Sequence, residues 1–552
     1  MSETTDLATR EIVYGAIRAT TDEMERLIGR TAMSEGFRDK KDYFVGLFDT
    51  RGRMIFALAG LTGAGLVDPI LDHFELDEVA PGDIFFFNDP YTTRGAVQHL
   101  GDVVVSVPIF CQGELLGFAA GYGHVADLGG LREGGGAGKA TEIFHEGIAY
   151  PPMRVGRDHE IDPSFLRLLE RNSRRPDLVR GDWRALLAAC RLGAARVDAL
   201  AERYGRRTLL ETIDWALAHT AARVRQILDE QIPDGTYETV TSADVPGLGL
   251  TGLQVSASLH RRGNELLLDL TGTSPDVPVP INYLATLSGV QLLLARVLLV
   301  FDENLEMNQG ILDTLTDLRL TSGTLVSPEF PRPLNNRSLV KSIVLNCLST
   351  LVAQANGGHM TANFPTYIVC NFQFPSGVSY SESLGVGFGG RPFGDGPDVI
   401  YGMAQRNYPV EFVEPTYPVR IRSYRINDGS GGPGRFRGGC GAVREIEVLQ
   451  EATLNPSMSH TDAGPDGQRG GGAGRPGSIV VEGRDGERRR VPGVSVGTKL
   501  QPGDVVVLSS AGGGGWGDPK ERDREAVLRD VREGFVSAED AERDYGVTVG
   551  SR

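Results

Sequence analysis

Glycine is what most limits the folds open to this chain. There are 72 glycines, many in bursts: GGLREGGGAGK at 129–139, NDGSGGPGRFRGGCGA at 427–442, GPDGQRGGGAGRPG at 464–477 and SSAGGGGWGDP at 509–519. Runs rich in Val and Ile flank several of them. Glycine lacks Cβ, so it permits positive φ and close approach of one backbone to another. Bursts set between strands predict tight turns and packed backbone in a β-rich body, rather than one long flexible tract.

The rest of the pattern is mixed. Apolar residues at helical spacing cover 8–34, and YFVGLFDTRGRMIFALAG reads as a hairpin about DTRGR. DIFFFNDPY is a short buried strand, and DVVVSVPIF-CQGE-LLGFAAGYGH is a second hairpin. From 163 to 232 Leu, Ala, Arg and Glu recur at helical spacing. LQVSASLHRRGNELLLDL is a further hairpin, 285–302 and 338–355 read as helices, and short strands alternate with glycine turns from 400 to 515. In the tail, Ser537 followed by Glu539 and Asp540 is suited to start a last helix. The expected class is α+β: a glycine-rich, multi-strand β body with a helical subdomain in the middle and a C-terminal helical tail. The expected regions are 1–162 (an α/β region with a metal-binding hairpin), 163–232 (a helical arm), 233–395 (α/β), 396–520 (β-rich with glycine loops) and 521–552 (the tail). The Leu/Ala faces of arm and tail suit either subunit contacts or ordinary core.

The totals exclude several functions. With 552 residues, 40% apolar and 23% charged, the chain is a globular protein of roughly two to four domains. No uninterrupted apolar run reaches the ~18 residues of a membrane span. The N-terminus is polar and acidic without the order of a secretion signal, so the cytoplasm is expected. A net charge of -16 repels polyanions, which argues against nucleic acid. The five cysteines are scattered, with no CxxC, so a metal would be held by His and carboxylate.

The hairpin at 102–124 supplies such a set. With its turn at Cys111-Gln112-Gly113-Glu114, antiparallel pairing brings His124 opposite about residue 101. Opposed side chains lie ~5 Å apart, so His99, Asp102 and His124 can converge at one end. Two imidazoles and a carboxylate suit one Zn, Mn or Fe(II), with positions left for water or substrate. Asp127 is near enough to serve as a fourth ligand or as an acceptor behind one. GGGAGKAT at 134–141 is not a P-loop: Glu133 stands at its first glycine position and Ala140 at its hydroxyl. There is no G-x-S-x-G elbow and no evident place for ATP.

FFNDPY (86–91), HLGD (99–102), HVADLGG (124–130) and IFHEG (143–147) resemble the B-subunit family of ATP-dependent hydantoinases and 5-oxoprolinases. That family also takes in alpha-type subunits of acetone carboxylase and related acetophenone carboxylase subunits. DLTGTSP (269–275), the 427–447 segment, GGGGWGDP and the tail continue the resemblance nearly end to end. It implies an A-type ATPase partner that uses ATP and Mg to phosphorylate a carbonyl or enolate oxygen, in a hetero-oligomer. It implies a metal on His99, Asp102 and His124 of this chain. The metal would polarise an oxygen or activate water on a cyclic amide. Asp127 would orient water as a base, His145 and Glu146 would assist proton transfer, and glycine N–H groups would meet the phosphoryl group. Asn88 and Asp89 would shape the loop wall or a plain turn. A ketone carboxylase using the same ligands, or a scaffold subunit with an inactive site, are the alternatives. The chain departs from the family pattern in three places. TTRGAVQ lengthens the loop after NDPY, Gly101 replaces the proline of HLPD, and the family's His-Leu-Gly near residue 65 reads LTGAGLVDP.

Overall fold

The computed structural model describes residues 5–56, 63–135, 138–365, 368–401 and 406–549. Gly136 and Ala137 of the 134–141 stretch, residues 57–60 of the first hairpin, and Leu61 and Thr62 of LTGAGLVDP lie outside the described residues. The α+β class holds, with four sheets among the described residues. The chain divides into two compact units. The first comprises 1–235 and 259–337, and the second comprises 236–258 and 338–552.

The first unit is built on a seven-stranded antiparallel sheet. Its strands are β1 (Tyr43–Asp49), β2 (Met54–Phe56), β3 (Ile84–Phe87), β4 (Asp102–Cys111), β5 (Glu114–His124), β6 (Met153–Arg157) and β7 (Glu160–Ile161), in the order β2-β1-β5-β4-β3-β6-β7. β4 is DVVVSVPIFC, a run of β-branched residues with little alternation. Val103 and Val104, on opposite faces, are both buried, as expected for a strand covered on two sides. Val103, Val105 and Val107 share a core with Trp183, Leu186 and Cys190 of the Pro176–Tyr204 helix and with Val13, Ile17 and Met24 of the Leu7–Thr31 helix. The helices of 163–232 share this core with the sheet, so their buried Leu and Ala faces serve as ordinary core. Also in this unit, Glu265–Asp269 pairs in parallel with Asp317–Arg319.

The second unit has two sheets and a glycine bundle. One sheet orders Ser379–Ser383, Ile368–Gln373, Ala452–Met458 and Thr498–Leu500. The other orders Val419–Ile426, Ala442–Val448, Val505–Ser509, Ser478–Glu482 and Arg488–Val491. The helix Ser338–Ala355 is the one described helix long and apolar enough to cross a membrane, but 67% of it is buried inside the protein, as in a core helix. In the tail, Ser537 caps the Ala538–Tyr545 helix, its hydroxyl accepting from Asp540 N at 3.0 Å.

The glycines of the 512–515 run pack backbone on backbone. A Cβ added to Gly512, Gly513, Gly514 or Gly515 would lie 2.0–2.1 Å from the carbonyl oxygens of Ser430, Phe388, Asp466 and Pro433 respectively. Residues 512 and 515 thus face one segment, 430–433, while 513 and 514 face two others. The N–H groups repeat the pattern. Those of Gly512 and Gly515 donate to Arg475 O and Gly472 O, and those of Gly513 and Trp516 donate to Gly439 O and Phe436 O. A three-residue period with every N–H given to another segment is the geometry of polyproline II, here bundled through glycine. The N–H groups that sequence reading offered to a phosphoryl group are, at 512–515, already bonded to carbonyls.

Candidate metal centre

The site forms where β4 and β5 end together. Asp102 pairs with His124 across the ladder, and a bulge between Ile109 and Phe110 accounts for the one-residue offset from the expected register. His99 enters from the turn before β4, closed by Asp102 N donating to His99 O (3.3 Å), and Val125 N donates to Gly101 O (3.0 Å). Three donor atoms converge. His99 Nε2 is 2.9 Å from Asp102 Oδ1, His124 Nδ1 is 3.2 Å from His99 Nε2, and His124 Nδ1 is 3.4 Å from Asp102 Oδ1. A tetrahedral cation with bonds of about 2.0–2.1 Å sets its donors about 3.3 Å apart, so this spacing fits one. The imidazoles are stacked, 4.8 Å between centroids. His99 and Asp102 are buried, whereas the His124 side chain is 27% exposed, which leaves that side open to solvent.

Gly101 is a condition of this arrangement. A Cβ there would lie 2.4 Å from His124 Cε1 and 2.7 Å from its Nδ1. The ring of His124 occupies the space that a side chain at position 101 would take.

Electrostatics treat the two imidazoles differently. Burial, reinforced by Arg337, pushes the pKa of His99 down in spite of Asp102. For His124 burial acts the same way, but the hydrogen bond to Asp102 together with the negative charges of Asp42 and Asp102 outweighs it, and its pKa rises. Burial would raise Asp102, yet its histidine neighbours and Arg337 hold it well below the ordinary carboxylate value. The donors present three lone-pair-bearing atoms to one point, an arrangement that a cation relieves.

The other sequence candidates stand elsewhere. Asp127 is buried, and its carboxylate accepts from Arg174 N (2.6 Å) and Arg174 Nη1 (2.8 Å), so both its oxygens are engaged. His145 approaches Thr141 through Nδ1 (3.3 Å to the backbone N), with its Nε2 3.4 Å from Glu142. Glu146 is buried, and its Oε1 accepts from Leu334 N (2.9 Å) and Asn335 N (2.8 Å). Burial pushes its carboxyl up to about 8 against those two hydrogen bonds and Arg337. Asn88 is a buried staple: its Nδ2 donates to Leu100 O (2.8 Å) and Ile148 O (3.0 Å), and its Oδ1 accepts from Tyr150 N (2.6 Å). Asp89 makes a turn, accepting from Tyr91 N at 2.9 Å.

Two residues of the site were missed from sequence. Asn335 Oδ1 lies 3.1 Å from His99 Nδ1, and Arg337 Nη2 lies 3.4 Å from Asp102 Oδ2. Both sit in EFPRPLNNRS (329–338), 236 positions after His99 for Asn335 and 235 after Asp102 for Arg337, where Pro and Asn read only as loop. No local signal links that loop to residue 99.

Known proteins bear on this geometry. The chain matches the Hydantoinase B/oxoprolinase family over residues 6–519. It is 29% identical to caprolactamase subunit beta of Pseudomonas jessenii, over 99% of this chain and 97% of that one. The crystal structure of ATP-dependent caprolactamase from the same organism superposes with a TM-score of 0.85 at 27% identity, covering 100% of this chain and 97% of that one. The acetophenone carboxylase delta subunit of Aromatoleum aromaticum is 26% identical over 92% of this chain and 81% of its own. With the family match covering nearly its whole length, this chain belongs to the hydantoinase B/oxoprolinase family.

Proposed function

We propose that the chain is the metal-bearing B-type subunit of a two-component, ATP-dependent amidohydrolase. An A-type partner phosphorylates a carbonyl oxygen of a cyclic amide, and this chain completes the ring opening. The observation that carries this reading is the convergence of His99 Nε2, Asp102 Oδ1 and His124 Nδ1 within 3.4 Å of one another. Those residues would hold one Zn, Mn or Fe(II), and a bound cation of this kind supplies Lewis-acid polarisation of an oxygen and lowers the pKa of water. Around it, the chain's own groups have separate tasks. Asn88 fixes Leu100 beside the site through its buried amide. Arg337 holds a permanent positive charge next to Asp102, where a phosphorylated, anionic intermediate would be received. The exposed edge of His124 marks the side from which that intermediate enters. The similarity to a caprolactamase beta subunit supports a lactam-like substrate.

The test is elemental analysis of the purified chain with its His99→Ala and His124→Ala variants, then turnover with an A-type partner. We expect about one transition metal per chain, lost in both variants, and ATP consumption with a hydantoin, 5-oxoproline or caprolactam. ATP consumption that requires bicarbonate and a ketone would instead favour the carboxylase reading, which the similarity to an acetophenone carboxylase subunit keeps open. A wild type that takes up no metal after reconstitution would leave a scaffold role.

A further inference from the structure

The loop 330–337 is fastened to the hairpin side of the first unit at four points. Ile143 N donates to Pro331 O (2.8 Å), Tyr91 Oη donates to Arg332 O (2.7 Å), and Leu334 N and Asn335 N both donate to Glu146 Oε1. A single buried carboxyl oxygen receiving two successive N–H groups is an anchor for the peptide between them. The residue it fixes, Asn335, presents Oδ1 to His99 Nδ1 at 3.1 Å. In that pairing the imidazole proton sits on Nδ1 and is donated to the amide. Nε2 is then left as a lone pair, and it is the atom lying 2.9 Å from Asp102 and 3.2 Å from His124.

We infer that Asn335 is a positioning residue for the metal centre: anchored by Glu146, it sets the tautomer and ring angle of His99, and as a neutral acceptor it leaves the metal's positive charge undamped. The inference rests on the metal-centre reading of His99, Asp102 and His124. An acceptor on the far nitrogen of a ligating histidine commonly governs metal affinity by 10–100-fold. A carboxylate in that place would strengthen the ligand and withdraw net charge from the site, whereas the amide orients the ring without adding charge. Glu146 thereby leaves the proton-transfer role suggested by its sequence neighbourhood and acts through Asn335, since its hydrogen-bonded oxygen faces the 334–335 backbone.

The sign of two substitutions tests this on the full-length, metal-stripped protein, titrated with Zn(II) against a chromophoric chelator and with Co(II) by visible absorption. Asn335→Ala should weaken binding about 10–100-fold and change the Co(II) ligand-field bands. Asn335→Asp should tighten binding. Melting of the metal-free proteins should stay near wild type, which a merely structural asparagine would not combine with opposite shifts in affinity. Glu146→Gln keeps an oxygen for both N–H groups and should bind like wild type, whereas Glu146→Leu should weaken binding, with no further loss when combined with Asn335→Ala. If Asn335→Ala and Asn335→Asp both bind and absorb like wild type, the positioning role is overturned while the metal centre stands. If wild type itself binds neither Zn(II) nor Co(II), the metal-centre reading fails, and this inference with it.

Discussion

The β4–β5 hairpin and the bundle around Gly512–Gly515 both depend on close backbone, but they specify it in opposite ways. The hairpin is defined by side chains: its valines fill a core on two faces, and its register fixes which residues meet at the end. In the bundle the defining feature is the missing Cβ, which allows three neighbouring segments to approach one glycine run. A hairpin residue can be exchanged for one of similar volume. A bundle glycine can be exchanged for nothing, because its neighbours are carbonyl groups that no rotamer change can move. Gly101 stands between the two cases, as a glycine in the side-chain region whose absent Cβ makes room for a ring and not for a backbone.

The largest effect separating the regions should come from Gly513→Ala. Its Cβ would sit 2.0 Å from Phe388 O, so we expect a loss above about 4 kcal/mol and failure to yield soluble protein, read by expression and denaturant unfolding. Survival of that variant with a normal melt would break the contrast. Next is the buried acid of the hairpin side. Burial raises Glu146 from 4.5 to about 8, so the stability tied to its protonated form is complete below about 4.5 and lost as pH climbs to about 8. Relative to Glu146→Gln, wild type should lose on the order of 4 kcal/mol between pH 5 and pH 9 in urea melts. A constant difference across that range would contradict it. Gly101→Ala should leave the fold intact but crowd His124, costing about tenfold in metal affinity by competition titration. Unfolding of this variant would place Gly101 with the bundle glycines instead. The smallest effect is a gain. Gly15 lies inside the Leu7–Thr31 helix with nothing within 4 Å of its added Cβ, so Gly15→Ala should stabilise by about 0.5–1 kcal/mol in thermal melts.

The same contrast explains what was legible in the sequence. A hairpin register is written locally. Once the turn is placed at Gln112–Gly113, His124 must fall near residue 101, and the bulge at Ile109 moved it by only one. Ser537 as a helix start was legible for the same reason. Asn335 and Arg337 were not, because what brings them to His99 is a set of backbone contacts to residues 91, 143 and 146. Asp127 looked available beside the site until Arg174, from 47 positions away, engaged both of its oxygens. The glycine bursts announced close packing but not its partners, since a residue without a side chain carries no pattern that names its neighbour.

The bundle has a thermal consequence. The heat capacity of unfolding grows with apolar surface exposed and falls with polar surface exposed. A core of peptide groups releases little hydrocarbon to water when it opens, and its glycines gain more backbone entropy than any other residue. Its free energy should therefore rest on enthalpy and change with temperature along a nearly straight line. Cooling, which weakens the valine-packed hairpin, should leave the glycine bundle the better preserved of the two.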